Sequence, residues 1–165
     1  MKKIIFILSL LILISSGSFA ATFPEEFSND IKIQSSRTCN LNAGLSFVYN
    51  TYYMFDKHVP VDAFLSNLVQ TDLNMQFPDA TLKNSEDFKK WYKGIGDSIK
   101  TQTHTVKSLK VKYGPHKSLL VHVIVHWQAE NMKGEYISFL AEQNWTLVEE
   151  KGQLKIKDYL VKEAK

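Results

Sequence analysis

The chain has 165 residues, with 20 Lys and Arg against 17 Asp and Glu, a formal charge of +3, 44% hydrophobic residues and one cysteine. So even a charge balance argues against nucleic acid as the main partner, because phosphate contacts need clustered Lys and Arg. A lone Cys39 excludes an internal disulfide, so stability has to come from an apolar core.

Met1 to Ala20 reads as a secretory leader. Lys2 and Lys3 give a positive start, Ile4 to Ile14 is an apolar run, and Ser18-Phe19-Ala20 carries small residues where a signal peptidase needs them. The run is short for a membrane span, so cleavage after Ala20 is expected over an uncleaved anchor, with a periplasmic or secreted destination and no membrane contact afterwards. No cysteine follows the run, which argues against lipidation. Without the leader and its two lysines, 145 residues of formal charge +1 remain, enough for one domain with a real core. Residues 21–39 are polar and aperiodic and read as an N-terminal arm. Cys39 is expected to be a buried or bystander thiol rather than a reactive one.

The domain then spans residues 40–165. Leu41, Leu45, Val48, Tyr52 and Phe55 fall on one face of a helix of about four turns, with Asn40 as its N-cap. Pro60 suits the first turn of a second helix carrying Val61, Phe64, Leu65 and Leu68. Asp72 to Phe77 alternates polar and apolar residues, as a half-buried strand does. Ser85 is read as the cap of a third helix that buries Phe88, Trp91, Ile95 and Ile99, with Gly94 and Gly96 marking a kink or a close approach of backbone.

Four long strand-like runs follow between residues 101 and 163. They are punctuated by Gly114-Pro115, by Asn131 to Gly134 and by Lys151-Gly152. The outward lysines 107, 110 and 112 predict a bulge near Ser108. In the second run Val121, Val123, Val125, Trp127 and Ala129 share one face, and His122, Ile124, His126 and Gln128 the other. The first face is expected to cover the helices. The fold class is therefore α+β: three N-terminal helices packed on a long, curved antiparallel sheet that makes a cone with a cavity.

Residues 41 to 163 resemble the nuclear transport factor 2-like superfamily, and within it the SnoaL-like group. The likeness rests on Phe77-Pro78, the helix start Glu86-Asp87-Phe88 with Trp91-Tyr92, and His104-x-Val106. It is completed by Val123-x-Val125-x-Trp127-x-Ala129, Trp145-x-Leu147-Val148 and Gly152-x-Leu154-x-Ile156. These are packing and turn patterns, so they specify fold rather than chemistry. The resemblance implies a pocket at the open end of the cone and dimers through the sheet face. It also implies a repertoire running from cyclases, isomerases and dehydratases to non-catalytic binding and assembly domains.

His104 is taken to face inward, where a histidine serves as general base or as a structural donor to helix backbone. SnoaL-type cyclases place an acid on a late strand, which makes Asp158 the candidate base by resemblance. Steroid-isomerase relatives carry theirs just before the proline that follows the first strand, where this chain has Phe77. Tyr52 lies on the inward side of the first helix, as hydrogen-bond donor or as core. Trp91, Trp127 and Trp145, with Asn74 and Val125, are the candidate ligand contacts. His122 and His126 are four apart on a strand, roughly 13 Å, too far for one ion, so no metal and no cofactor are expected. The leading expectation is a secreted or periplasmic domain that binds a small apolar or aromatic molecule in its cone. A SnoaL-like acid–base enzyme and a protein-assembly module are the alternatives. Native mass spectrometry of protein taken from its own host is expected to show a chain beginning at Ala21. A mass that retains residues 1–20 would overturn the leader.

Overall fold

The computed structural model describes residues 39–164. The expected leader, and the expected arm apart from Cys39, lie outside the described residues. No helix among the described residues is long and apolar enough to cross a membrane.

Helix α1 (Leu41–Asp56) starts as its sequence predicts: the Asn40 side-chain oxygen accepts from the Ala43 N–H at 2.8 Å. Its 3.6-residue period buries Val48, Tyr52 and Phe55 and leaves Tyr49 and Tyr53 exposed. The helix closes where His58 takes a left-handed φ of 48°, two residues before Pro60. Helix α2 (Val61–Leu65) is shorter than its apolar spacing suggests. Leu68 leaves the helix to bridge Ile156, so pairing with a distant strand overrides local periodicity.

Strands β1 (Asn74–Gln76) and β2 (Thr81–Leu82) precede helix α3 (Ser85–Ser98). The cap of α3 is Asn84, not Ser85. Asn84 is extended at φ −156° and accepts from the Asp87 N–H at 2.9 Å, while Ser85 already belongs to the helix. Gly94 and Gly96 mark no close approach, since a Cβ at either would meet nothing within 4 Å. Ile99, expected on the helix, opens the next strand.

The four long strands are β3 (Ile99–Tyr113), β4 (Leu119–Asn131), β5 (Tyr136–Glu150) and β6 (Gln153–Glu163). A short 3₁₀ turn at Pro115–Lys117 joins the first two. Lys151 and Gly152, both at positive φ, make the tight hairpin between the last two. The sheet has six strands in the order β2-β1-β6-β5-β4-β3. It is mixed rather than wholly antiparallel, because β1 runs parallel to β6, pairing Met75 with Tyr159. Tight turns force antiparallel neighbours, but β1 reaches β6 only after α3 and four strands, so that constraint is lifted.

Register shifts fall between Val106 and Ser108 on β3, where the lysine pattern places a bulge, and between Thr146 and Leu147 on the β5–β6 pair. Bulges bend and twist a strand, and strands of 11 to 15 residues then curve over the helices. Val121, Val123, Val125 and Ala129 of β4 are buried as their alternation predicts. The core runs from Val48 and Phe64 through Phe88 and Met75 to Val123 and Leu147. Truncating Leu147, which is 0% exposed, to alanine is expected to cost about 2–5 kcal/mol. Urea unfolding with an unchanged slope checks it, and a midpoint equal to wild type would show that the sheet interior is not packed as described.

Candidate functional site

The sheet and helices enclose a cavity of about 290 Å³. Phe55 of α1, Trp91 and Ile95 of α3, Trp127 of β4 and Phe139 of β5 supply much of its apolar wall. Phe77, just past β1, also borders it and lies flat on Trp91 at 4.0 Å between centroids. An adjoining hollow of about 420 Å³ shares Pro78, Phe139 and Val161 with the cavity and reaches Lys162 and Glu163.

Polar groups on the wall are few. His104 enters from β3 and keeps 10% side-chain exposure. Its Nδ1 lies 2.6 Å from Asp56 Oδ1, and its backbone N–H donates to Asp56 Oδ2 at 3.2 Å. A carboxylate only accepts at neutral pH, so Nδ1 carries the proton and donates. Nε2 is left with its lone pair and bonds no group among the described residues. Tyr52 stacks on the imidazole at 4.9 Å and 14°, and Phe55 leans on it at 5.9 Å. The ring is thereby held in position as well as in tautomer.

Asp56 is the last residue of α1, and no basic residue shares that turn. An acid there opposes the helix dipole by about 0.3–1 kcal/mol. Its two hydrogen bonds to His104 offset that cost. Sequence reasoning passed over Asp56 because it is off the apolar stripe. The available signal was the acid set against the dipole at the end of a helix.

Gln102 and Gln143 also border the cavity. Gln102 donates from Nε2 to Phe55 O at 2.8 Å and accepts from Trp127 Nε1 at 3.0 Å, so both ends of its amide are engaged. Gln143 Oε1 accepts three bonds: Tyr52 Oη at 2.7 Å, Tyr159 Oη at 2.9 Å and Trp145 Nε1 at 3.2 Å. Burial raises the Tyr52 hydroxyl far above the usual phenol range, with smaller contributions from Tyr159 and Asp56. Burial does the same to Tyr159, against the bond to Gln143. Both therefore stay protonated and donate.

The sequence-derived candidates divide clearly. His104, Trp91 and Trp127 reach the cavity wall, and Tyr52 touches His104 from behind. Asp158 does not join them. Inward positions on β6 include Ile156, Tyr159 and Val161, so alternation turns Asp158 to the outer face, where it takes a 3.4 Å bond from Asn74. Asn74 lies there too, accepting from Lys83 Nζ at 2.6 Å, and does not border the cavity. Trp145, 2% exposed, is packed between Tyr52 and Tyr159, and Val125, 0% exposed, is core; neither borders the cavity. Cys39 is buried, gives its Sγ–H to Lys117 O at 3.1 Å, and has its thiol pKa raised, first by burial and then by Glu149. His122 pairs with Asn144, and His126 with Ser138, across the outer face. No cluster of His, Cys, Asp and Glu among the described residues could hold a metal ion.

Comparison with solved structures places this arrangement in a known architecture. The fold is that of the nuclear transport factor 2-like superfamily. A protein from Novosphingobium aromaticivorans provisionally named scytalone dehydratase superposes with a TM-score of 0.69 at 15% identity, over 85% of this chain and 89% of that one. The type 3 hexachlorocyclohexane dehydrochlorinase LinA from Novosphingobium barchaimii gives 0.68 at 12%, over 82% and 91%. A nuclear transport factor 2-like protein from Salmonella enterica gives 0.66 at 10%, over 73% and 88%. Identities this low establish fold and nothing finer. No family model matches the sequence, and no curated protein matches it either.

The raised Tyr52 and Tyr159 phenols make stability depend on pH. A tyrosine whose pKa is higher folded than unfolded contributes fully below the unfolded value of about 10, and that contribution is lost as pH rises beyond it. Thermal unfolding at about pH 9 and about pH 11 is expected to show a smaller loss of stability for Tyr52→Phe than for wild type. Equal losses would mean that the Tyr52 hydroxyl is not sequestered.

Proposed function

We propose that the protein is an acid–base enzyme that removes a proton from carbon in a small apolar or aromatic substrate and then eliminates a leaving group. The observation that carries this reading is the Asp56–His104 pair, with Nδ1 tied at 2.6 Å and Nε2 unpaired on the wall of an apolar cavity. In such a site Asp56 keeps Nε2 as the basic nitrogen and stabilises the imidazolium that forms, the division of labour found in hydrolase triads. His104 Nε2 takes the proton, the C–H electron pair becomes a new π bond, and the leaving group departs with its own pair. The imidazolium then returns the proton to the departing group. The apolar walls exclude water, which strengthens each of these interactions. The names of two fold neighbours, a dehydratase and a dehydrochlorinase, describe eliminations and support the same class of reaction.

Binding without chemistry is the second reading, favoured by how little of the wall is polar. A secreted or periplasmic location accords with either. A second copy is the partner suggested for the outer sheet face, which carries Leu140 and Leu160 beside its histidine pairs.

Nitrobenzisoxazole is a general probe of this activity, because loss of its ring C–H breaks the adjacent N–O bond and releases a coloured phenolate. Wild type is expected to accelerate that opening, and His104→Gln to lose about 100-fold or more, the usual share of a positioned base. Asp56→Asn should lose about tenfold or more by releasing the tautomer. A His104→Gln variant as fast as wild type would remove the catalytic reading and leave the binding one.

A further inference from the structure

The cavity wall is sorted by charge as well as by polarity. Six aromatic rings border it: Phe55, Phe77, Trp91, Trp127, Phe139 and Tyr159. They lie in several planes. Phe77 stacks on Trp91, Phe55 meets Trp91 at 86°, and Trp127 crosses Phe139 at 63°. An aromatic face carries negative potential, so rings around a space favour a cation within it. Among the described residues, no lysine or arginine lines the cavity to compete.

Several donors on the wall already have partners. His104 Nδ1 is tied to Asp56, Trp127 Nε1 to Gln102, Gln102 Nε2 to Phe55 O and Tyr159 Oη to Gln143. Trp91 Nε1 is buried, so Trp91 turns ring carbon to the space. The groups left on offer are of the opposite kind. His104, nine-tenths buried, keeps an unbonded lone pair on Nε2. Asp79, on the wall in the turn from Phe77 to Ala80, is an exposed carboxylate without a partner among the described residues. The Glu163 carboxylate at the adjoining hollow is another. Lys162 beside it is neutralised by Glu142 at 3.1 Å.

We propose that the cavity binds a cationic ligand, a small organic ammonium compound whose apolar body lies among the rings and whose charge meets their faces and Asp79. The rings hold the charge, while the exposed acids steer it, because water weakens an exposed ion pair. The inference names the ligand of the cavity. It rests on the cavity being the substrate site, which the catalytic and the binding readings share, and not on His104 acting as a base. A cavity of about 290 Å³ is at the small end of ligand sites, which suits one ring with its ammonium group.

The test uses benzyltrimethylammonium, benzyl alcohol and benzylsulfonate, which share a benzyl group and are cationic, neutral and anionic. Quenching of tryptophan fluorescence, Trp91 and Trp127 being on the wall, reads their affinities. The cation is expected to bind about tenfold more tightly than the sulfonate or better, although the positive formal charge of the chain favours the anion. Asp79→Asn should weaken the cation about 2- to 5-fold at low salt. That difference should vanish at about 1 M salt, and benzyl alcohol should bind as before. Protein grown on 5-fluorotryptophan keeps the shape of its rings and has less negative faces. It should bind the cation about twofold more weakly or worse, with the alcohol unchanged. A sulfonate bound as tightly as the cation would overturn the assignment. So would a cation indifferent to fluorination, or one that Asp79→Asn binds like wild type at low salt. With benzyl alcohol still bound, those results would leave the cavity as a site for neutral compounds. No binding of any probe would overturn the assignment together with the reading of the cavity as a substrate site. A cation preference that persists without His104-dependent opening of nitrobenzisoxazole removes the catalytic reading alone.

Discussion

One acceptor atom holds the site together. Gln143 Oε1 lies within 3.2 Å of three donors that come from α1, β5 and β6. Bonds of this kind give about 1 kcal/mol each net, but removing the shared acceptor would strand all three donors at the full desolvation cost. The node pins α1 to the inner face of the sheet. It also sets the height of Tyr52, hence the plane on which His104 lies. Helix, sheet and base are therefore one mechanical unit rather than three adjacent parts.

The cavity follows from how the sheet bends. A flat sheet of this length would lie against the helices and fill. Bulges near Ser108 and Leu147 bend and twist β3 and the β5–β6 pair, so the long strands do not lie flat. At the closed end the side chains are fully buried aliphatics such as Val123 and Leu147. Toward the open end the same inward rows present Trp127 and Phe139 to the cavity instead. The dyad sits where these regimes meet, because β3 brings His104 opposite the C-terminal end of α1.

The sequence carried more of the architecture than of the chemistry. Strand alternation located the inward face of β4, and the lysine spacing on β3 located its bulge, because both depend on nearest neighbours. Asn40 was legible as a cap for the same reason. Ser85 and Asn84 both have the composition of a cap, and only the backbone dihedrals separate them. Parallel pairing of β1 with β6 had no local signature. Asp158 was named from its place on a late strand alone, which does not say which face it takes; in the structure it bonds Asn74 rather than joining His104.

What the sequence determined by itself is the periodic part: an α+β chain, long strands with one apolar face, a histidine and a tyrosine turned inward. Period 2 and period 3.6 are properties of the backbone, so they can be read without knowing any partner. Tertiary structure alone decided which polar groups meet. Asp56 and His104 are 48 residues apart, and Tyr52 and Gln143 are 91 apart. Nothing in the local sequence records such a pairing, since it exists only once α1 is laid across the curved sheet. The chemistry of the cavity belongs to those long-range pairs.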